Sequence, residues 1–141
     1  MKSSNLERVL KALDKEITNY VITGSKAFQL HKIEEDRECK DIDIVIEGTE
    51  LPPGWRILNN KFNCKRACKS IEGQWVECWL QDYKLPEYDL IEVDERKVKV
   101  RSLKSLMYHY LSLNIKVTSE KFQVKIQKRK DWAEQYLRTF Q

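Results

Sequence analysis

Residues 41 to 47 read Asp-Ile-Asp-Ile-Val-Ile-Glu, a period-two alternation that fits a β-strand and no other regular structure. Ile42, Ile44 and Ile46 fall on one face of that strand, and Asp41, Asp43 and Val45 fall on the other. The isoleucine face has to be buried, so this segment commits the chain to a sheet with a layer packed over it. The carboxylate face is the harder problem. Side chains two apart on a strand start about 6 to 7 Å from one another, and two carboxylates so placed repel unless water or a cation relieves them. A divalent cation supplies the missing charge, and Mg²⁺, which takes oxygen ligands and keeps places for water or phosphate, suits an Asp-x-Asp pair.

The flanking segments supply the rest of an α+β chain. Ser4-Asn5-Leu6-Glu7 has capping-box spacing, and Leu6, Val9, Leu10, Leu13 and Ile17 recur at helical intervals, predicting a first helix that ends near Ile17. Tyr20 to Thr23 predicts a short buried strand stopped by Gly24. Ala27, Phe28, Leu30 and Ile33 then predict a helix from Ser25, and Glu34 to Lys40 a polar loop. Leu51-Pro52-Pro53-Gly54 breaks the chain, and Trp55 to Asn60 fits either a helical turn or a strand. Phe62 to Ile71 and Gln74 to Gln81, around Glu72-Gly73, predict one hairpin; Asp89 to Val93 and Lys97 to Arg101 predict a second. Ser102 caps a helix bearing Leu103, Leu106, Met107, Tyr110, Leu111 and Leu113. A last helix from Thr118 or Ser119 aligns Phe122, Ile126, Ala133, Tyr136, Leu137 and Phe140.

Composition limits the function classes. With 141 residues and 41% hydrophobic content, residues 1–141 are expected to form a single domain. No apolar run approaches membrane-spanning length, and the N-terminal charges do not suit a signal peptide. Four cysteines in a lysine- and glutamate-rich chain then point to thiols in a reducing, cytoplasmic setting. Cys64-x3-Cys68 lacks the second close Cys/His pair of a zinc site, since His31 and His109 stand far away. The net charge of +4 is mild, although Lys61 to Lys69 and Lys121 to Lys130 are locally basic.

A Gly-Ser turn between strand and helix offers backbone N–H groups, a hydroxyl and a helix N-terminus, which together suit a phosphate. The order strand, Gly24-Ser25, helix, then Asp41-Ile42-Asp43-Ile44 resembles the signature of the DNA polymerase β-type nucleotidyltransferase superfamily. It is most similar to small members such as aminoglycoside nucleotidyltransferases and minimal nucleotidyltransferase antitoxins. Trp75-Val76-Glu77-Cys78-Trp79 resembles the strand that carries the family's third carboxylate, with Glu77 in the acidic position. Glu77 is longer than the usual aspartate, and Asp82, Asp89 or Glu92 takes that role if the hairpin register differs. The stretch between Ser25 and Asp41 is longer than usual, implying an enlarged loop, and a lysine frequent in relatives is replaced near His109.

The resemblance implies a polymerase β-like palm, a mixed sheet flanked by helices. It implies transfer of a nucleoside monophosphate from a nucleoside triphosphate, with ATP the expected donor, to a hydroxyl of a small molecule, a protein or an RNA end. Asp41, Asp43 and Glu77 would hold two Mg²⁺ ions, and Gly24 and Ser25 the leaving phosphates. Two other functions fit the same residues: an antitoxin or regulator of this type acting through a protein partner, and an RNA-binding module using the two basic segments. The less demanding reading of Trp75 and Trp79 is packing, and that of His109 a core or interface histidine. Lys125, Lys128, Arg129 and Lys130 read as a solvated face.

Overall fold

The computed structural model describes residues 3–81, 84–113 and 119–139, which form two compact units, Met1–Arg101 and Ser102–Gln141. The first unit is α+β. It comprises α1 (Ser3–Leu13), β1 (Tyr20–Thr23), α2 (Gly24–Leu30), β2 (Asp41–Ile46), β3 (Arg56–Lys61), β4 (Cys64–Ile71), β5 (Gln74–Leu80), β6 (Tyr88–Val93) and β7 (Arg96–Arg101). All seven strands join one mixed sheet in the order β3-β4-β5-β2-β1-β7-β6. The expected α+β class and mixed sheet are what the chain forms.

The isoleucine face of β2 behaves as the alternation requires. Ile42 and Ile44 are fully buried and Ile46 nearly so, together with Val76, Cys78 and Ala67 from β5 and β4. The apolar stripe of α1 (Leu6, Val9, Leu10 and Leu13) is buried, and α2 buries Ala27 and Phe28 while packing on β1, β2 and β7. Three two-residue turns join the hairpins. Phe62-Asn63, Glu72-Gly73 and Asp94-Glu95 all have positive φ at both positions, the hand that matches strand twist.

Local details differ from the sequence expectations. α1 stops at Leu13, a turn before Ile17, because Asp14 is drawn to the sheet: its carboxylate accepts from the Tyr20 hydroxyl at 2.7 Å and pairs with Arg96 at 2.7 Å. α2 includes Gly24 and ends at Leu30. Lys32 (φ 62°) turns the chain left-handed and leaves Ile33 exposed. The ambiguous stretch after Trp55 is the edge strand β3, paired with β4 through an irregularity between Leu58 and Lys61. An edge strand buries little, so Ile57 faces solvent and the alternation that would have marked it is absent.

The second unit holds α3 (Leu103–Ser112) and α4 (Glu120–Arg138), which pack on each other. Ser102 caps α3 as expected, its hydroxyl accepting from Ser105 N–H at 3.1 Å. On α4, Ile126 and Ala133 are buried, whereas Phe122 is exposed. The expected solvated face is partly a packing face. Arg129 is buried, with its guanidinium donating to the Tyr110 hydroxyl at 3.1 Å, and Lys130 donates to the Leu113 carbonyl at 2.8 Å. His109 is half-buried, edge-on to Tyr110. Thr118 and Phe140 lie outside the described residues. Among the described residues, no helix is long and apolar enough to cross a membrane.

Candidate active site

β1 and β2 run antiparallel with Thr23 opposite Asp43, so the turn that ends β1 sits against the second aspartate. Gly24 follows at φ +64°, a conformation that glycine adopts without the penalty a Cβ brings. The space beside it is equally demanding. A Cβ on Gly24 would lie 2.6 Å from Asp43 Oδ2, so the Gly-Ser turn approaches the Asp-x-Asp strand too closely here for any side chain. Arg101, at the end of β7, donates to the Thr23 hydroxyl at 3.3 Å, and its carbonyl lies 2.8 Å from His31 Nε2. These bonds fix the place where strand becomes helix.

β5 lies parallel beside β2, with Asp41 opposite Trp75, Asp43 opposite Glu77 and Val45 opposite Trp79. In-register residues of neighbouring strands point to the same face, so both aspartates and Glu77 share one side of the sheet. Asp43 accepts from Trp79 Nε1 at 3.3 Å and shares a hydrogen bond with Glu77. Its carboxyl is pushed up to about 8. Burial is the main cause, the Glu77 and Asp41 charges add to it, and the Trp79 N–H opposes it.

Glu77 has a second partner. Arg66, from β4, forms a hydrogen-bonded ion pair with Glu77 Oε1, donates through Nε to the Asn59 carbonyl at 2.7 Å and lies 5.6 Å over the Trp79 ring. Among the described residues, no three carboxylate, imidazole or thiol groups close around one point. The site is instead an Asp43–Glu77 pair, with Asp41 one pleat away and an arginine at its edge. Asp41 and Asp43 make an all-oxygen donor set on one strand face, while the Glu77 charge is already met by Arg66. That set fits a hard divalent cation such as Mg²⁺.

No protein-family model matches this chain, and no curated protein matches it. Among solved structures, aminoglycoside nucleotidyltransferase ANT(2'')-Ia, crystallised in complex with adenylyl-2''-tobramycin, aligns over 96% of this chain and 88% of its own. The TM-score is 0.54 and the identity 14%. The chain has a nucleotidyltransferase fold. A solution structure of the antibiotic-resistance factor ANT(2'')-Ia aligns over 97% of this chain and 91% of its own, with TM-score 0.47 and 14% identity.

Within the nucleotidyltransferase fold, the residues named from sequence separate clearly. Gly24, Asp43 and Glu77 are brought together, Asp41 shares their face, and Ser25 is the second residue of α2. Asp89 and Glu92 lie on β6, which β7 and β1 separate from β2; Asp82 lies outside the described residues. Trp75 is well exposed beside Asp41, while Trp79 packs under Arg66 and donates to Asp43.

Two contributors were not read from sequence. Arg66 looked like part of a basic surface run, and only strand pairing brings it to Glu77. Lys26 carries no sequence signal, since a lysine in a short helix ordinarily faces solvent, yet it is 1% exposed. Its amine donates to Gln29 Oε1 at 2.6 Å, Asp36 Oδ1 at 3.1 Å and the Arg37 carbonyl at 3.4 Å. The long acidic loop before β2 is therefore tied to α2. Lys26→Met keeps the aliphatic stem and removes the amine, leaving the buried Gln29 carbonyl without this donor. It is expected to cost about 1–3 kcal/mol, read as a lower urea midpoint with faster amide exchange across residues 34–40.

Proposed function

We propose that this protein is a nucleotidyltransferase that moves a nucleoside monophosphate from a triphosphate, ATP being the expected donor, to an acceptor hydroxyl. The observation that carries the reading is the close approach of Asp43 Oδ2 to Gly24, which leaves no room for a Cβ there, in a strand whose neighbour presents Glu77 in register. A phosphate-suited turn and a cation-suited carboxylate pair are thereby adjacent, as one metal-bound triphosphate requires. Asp41 and Asp43 would hold the Mg²⁺ that accompanies the nucleotide. When bound, the ion neutralises phosphate charge and polarises the α-phosphoryl group.

The chain's own groups then have distinct tasks. The Gly24 N–H and Ser25 hydroxyl would grip the leaving phosphates. Glu77 would accept the proton of the acceptor hydroxyl as its oxygen attacks the α-phosphorus. The bond from that phosphorus to the bridging oxygen breaks, and pyrophosphate departs. A second ion shared with Glu77, which the family resemblance also implies, would have to compete there with the Arg66 guanidinium. A nucleic-acid role for the basic segments gains less support, because Arg66, Lys69, Arg129 and Lys130 already serve Glu77, Glu16, Tyr110 and Leu113.

Incubation with α-³²P-labelled ATP, Mg²⁺ and candidate acceptors tests the reading. Tobramycin is the first small-molecule acceptor to try, followed by RNA ends and a protein lysate. Label transferred in a Mg²⁺-dependent manner, with pyrophosphate released, is the expected result; absence of metal-dependent nucleotide binding would sink it. A pH dependence follows from Asp43. A cation must displace the proton held there, so apparent Mg²⁺ affinity should climb with pH until about 8 and then level. The climb is at most about tenfold per pH unit for one proton displaced. Affinity that stays flat over that climb would place the ion elsewhere.

A further inference from the structure

Among the described residues, the Arg66 guanidinium joins the carboxylate face through its ion pair with Glu77, and it is firmly placed there. It reaches Glu77 from β4, where its cross-strand partner is Trp79, two residues beyond Glu77 on β5. The Asn59 carbonyl of β3 accepts from its Nε, and its guanidinium carbon lies 5.6 Å from the centre of the Trp79 ring. Three neighbours thus orient one planar cation, and Trp79 in turn donates to Asp43. Guanidinium keeps its charge at any working pH and binds carboxylate through directed N–H groups. It therefore provides at Glu77 what a second divalent ion would provide, a fixed positive charge that offsets the crowded acids.

We propose that Arg66 is the resident second cation of this site, a positioning residue that holds Glu77 and takes the place of a second metal ion. The protein accordingly loads one divalent cation, at Asp41 and Asp43. This inference rests on the nucleotidyltransferase reading for its carboxylate site, but it concerns how the site is filled rather than what it transfers. Removing the guanidinium leaves Glu77 beside Asp43 without its counter-charge, and a second divalent ion, in competition with protons, becomes the means of neutralising the pair.

The test is Mn²⁺ titration of the full chain, read by electron paramagnetic resonance and calorimetry, with and without a non-hydrolysable ATP analogue. Wild type is expected to bind one Mn²⁺ per chain. Arg66→Met is expected to bind a second ion, or to bind the first at least tenfold more tightly, while Arg66→Lys, which keeps a charge, should return to one ion. A role for Arg66 confined to packing would not change the ion count. Two ions in wild type would overturn the proposal whether or not the methionine variant folds. Identical binding by wild type and Arg66→Met, with one ion each, would also overturn it and leave the transferase reading standing. Binding to neither protein would remove both.

Discussion

Asp43→Asn is expected to abolish nucleotidyl transfer and, at the same time, to raise the melting temperature of the metal-free protein. The two effects have one origin. Asp43 lies between burial and two like charges, so its carboxyl holds a proton up to about 8, far above the usual range near 4. In the folded chain the neutral form is favoured, whereas the unfolded chain ionises near 4. The native state therefore binds the additional proton, and stability falls as pH rises from about 4 toward 8. Within that window the slope approaches about 1.4 kcal/mol per pH unit. The substituted amide carries no charge and abolishes that slope, so the melting-temperature gap over wild type should widen with rising pH and level off above about 8. A gain of about 1 kcal/mol corresponds to roughly 3 to 6 °C in a domain of this size. Activity moves the other way, because an amide does not balance a divalent cation's charge; losing the carboxylate should cost about 3–4 kcal/mol of transition-state stabilisation, a rate drop on the order of a thousandfold. Thermal melts across pH, paired with the labelled-ATP assay, check both. A variant that keeps full transfer, or that melts below wild type at high pH, would contradict this account.

Gly24→Ala should be nearly as damaging for nucleotide binding while destabilising the fold. Its φ of +64° is strained for any residue with a Cβ, and that Cβ would come 2.6 Å from Asp43 Oδ2. The conformational cost alone is about 1–2 kcal/mol. Relieving the overlap requires the Asp43 carboxylate or the turn to shift, and a displacement near 1 Å at a positioning site costs on the order of a hundredfold in rate. The expected pattern is a melting temperature several degrees lower and Mg²⁺–nucleotide affinity weakened at least tenfold. Circular dichroism melts and nucleotide titration separate these effects. A glycine needed only for the turn would show the first without the second.

These variants also distinguish what was legible from what was not. The Asp-x-Asp strand, the Gly-Ser turn and the helices that bury Leu10, Phe28 and Leu106 could be read directly, because each depends on residue spacing within one element. β3 could not. It is an edge strand, and exposure removes the alternation by which a strand is recognised. Glu77 lay in between: its strand was evident, but its partner was a matter of which strand inserts beside β2. A one-residue slip in that register would have turned Glu77 to the opposite face.

The sequence by itself determined an α+β chain with a carboxylate-bearing strand, a phosphate-suited turn and hairpin turns at Glu72-Gly73 and around Asp94-Glu95-Arg96, the second of which the structure tightens to Asp94-Glu95. Those features are set by side-chain periodicity and by near-neighbour backbone preference. Only the tertiary structure decided that β5 runs parallel to β2 between β2 and β4, which brings Glu77 to Asp43 and Arg66 to Glu77. It alone also turned Lys26 inward to tie the acidic loop. These are contacts between segments distant in the chain. They depend on strand order and register, which are chosen by burial of the whole sheet and not by any local run of residues.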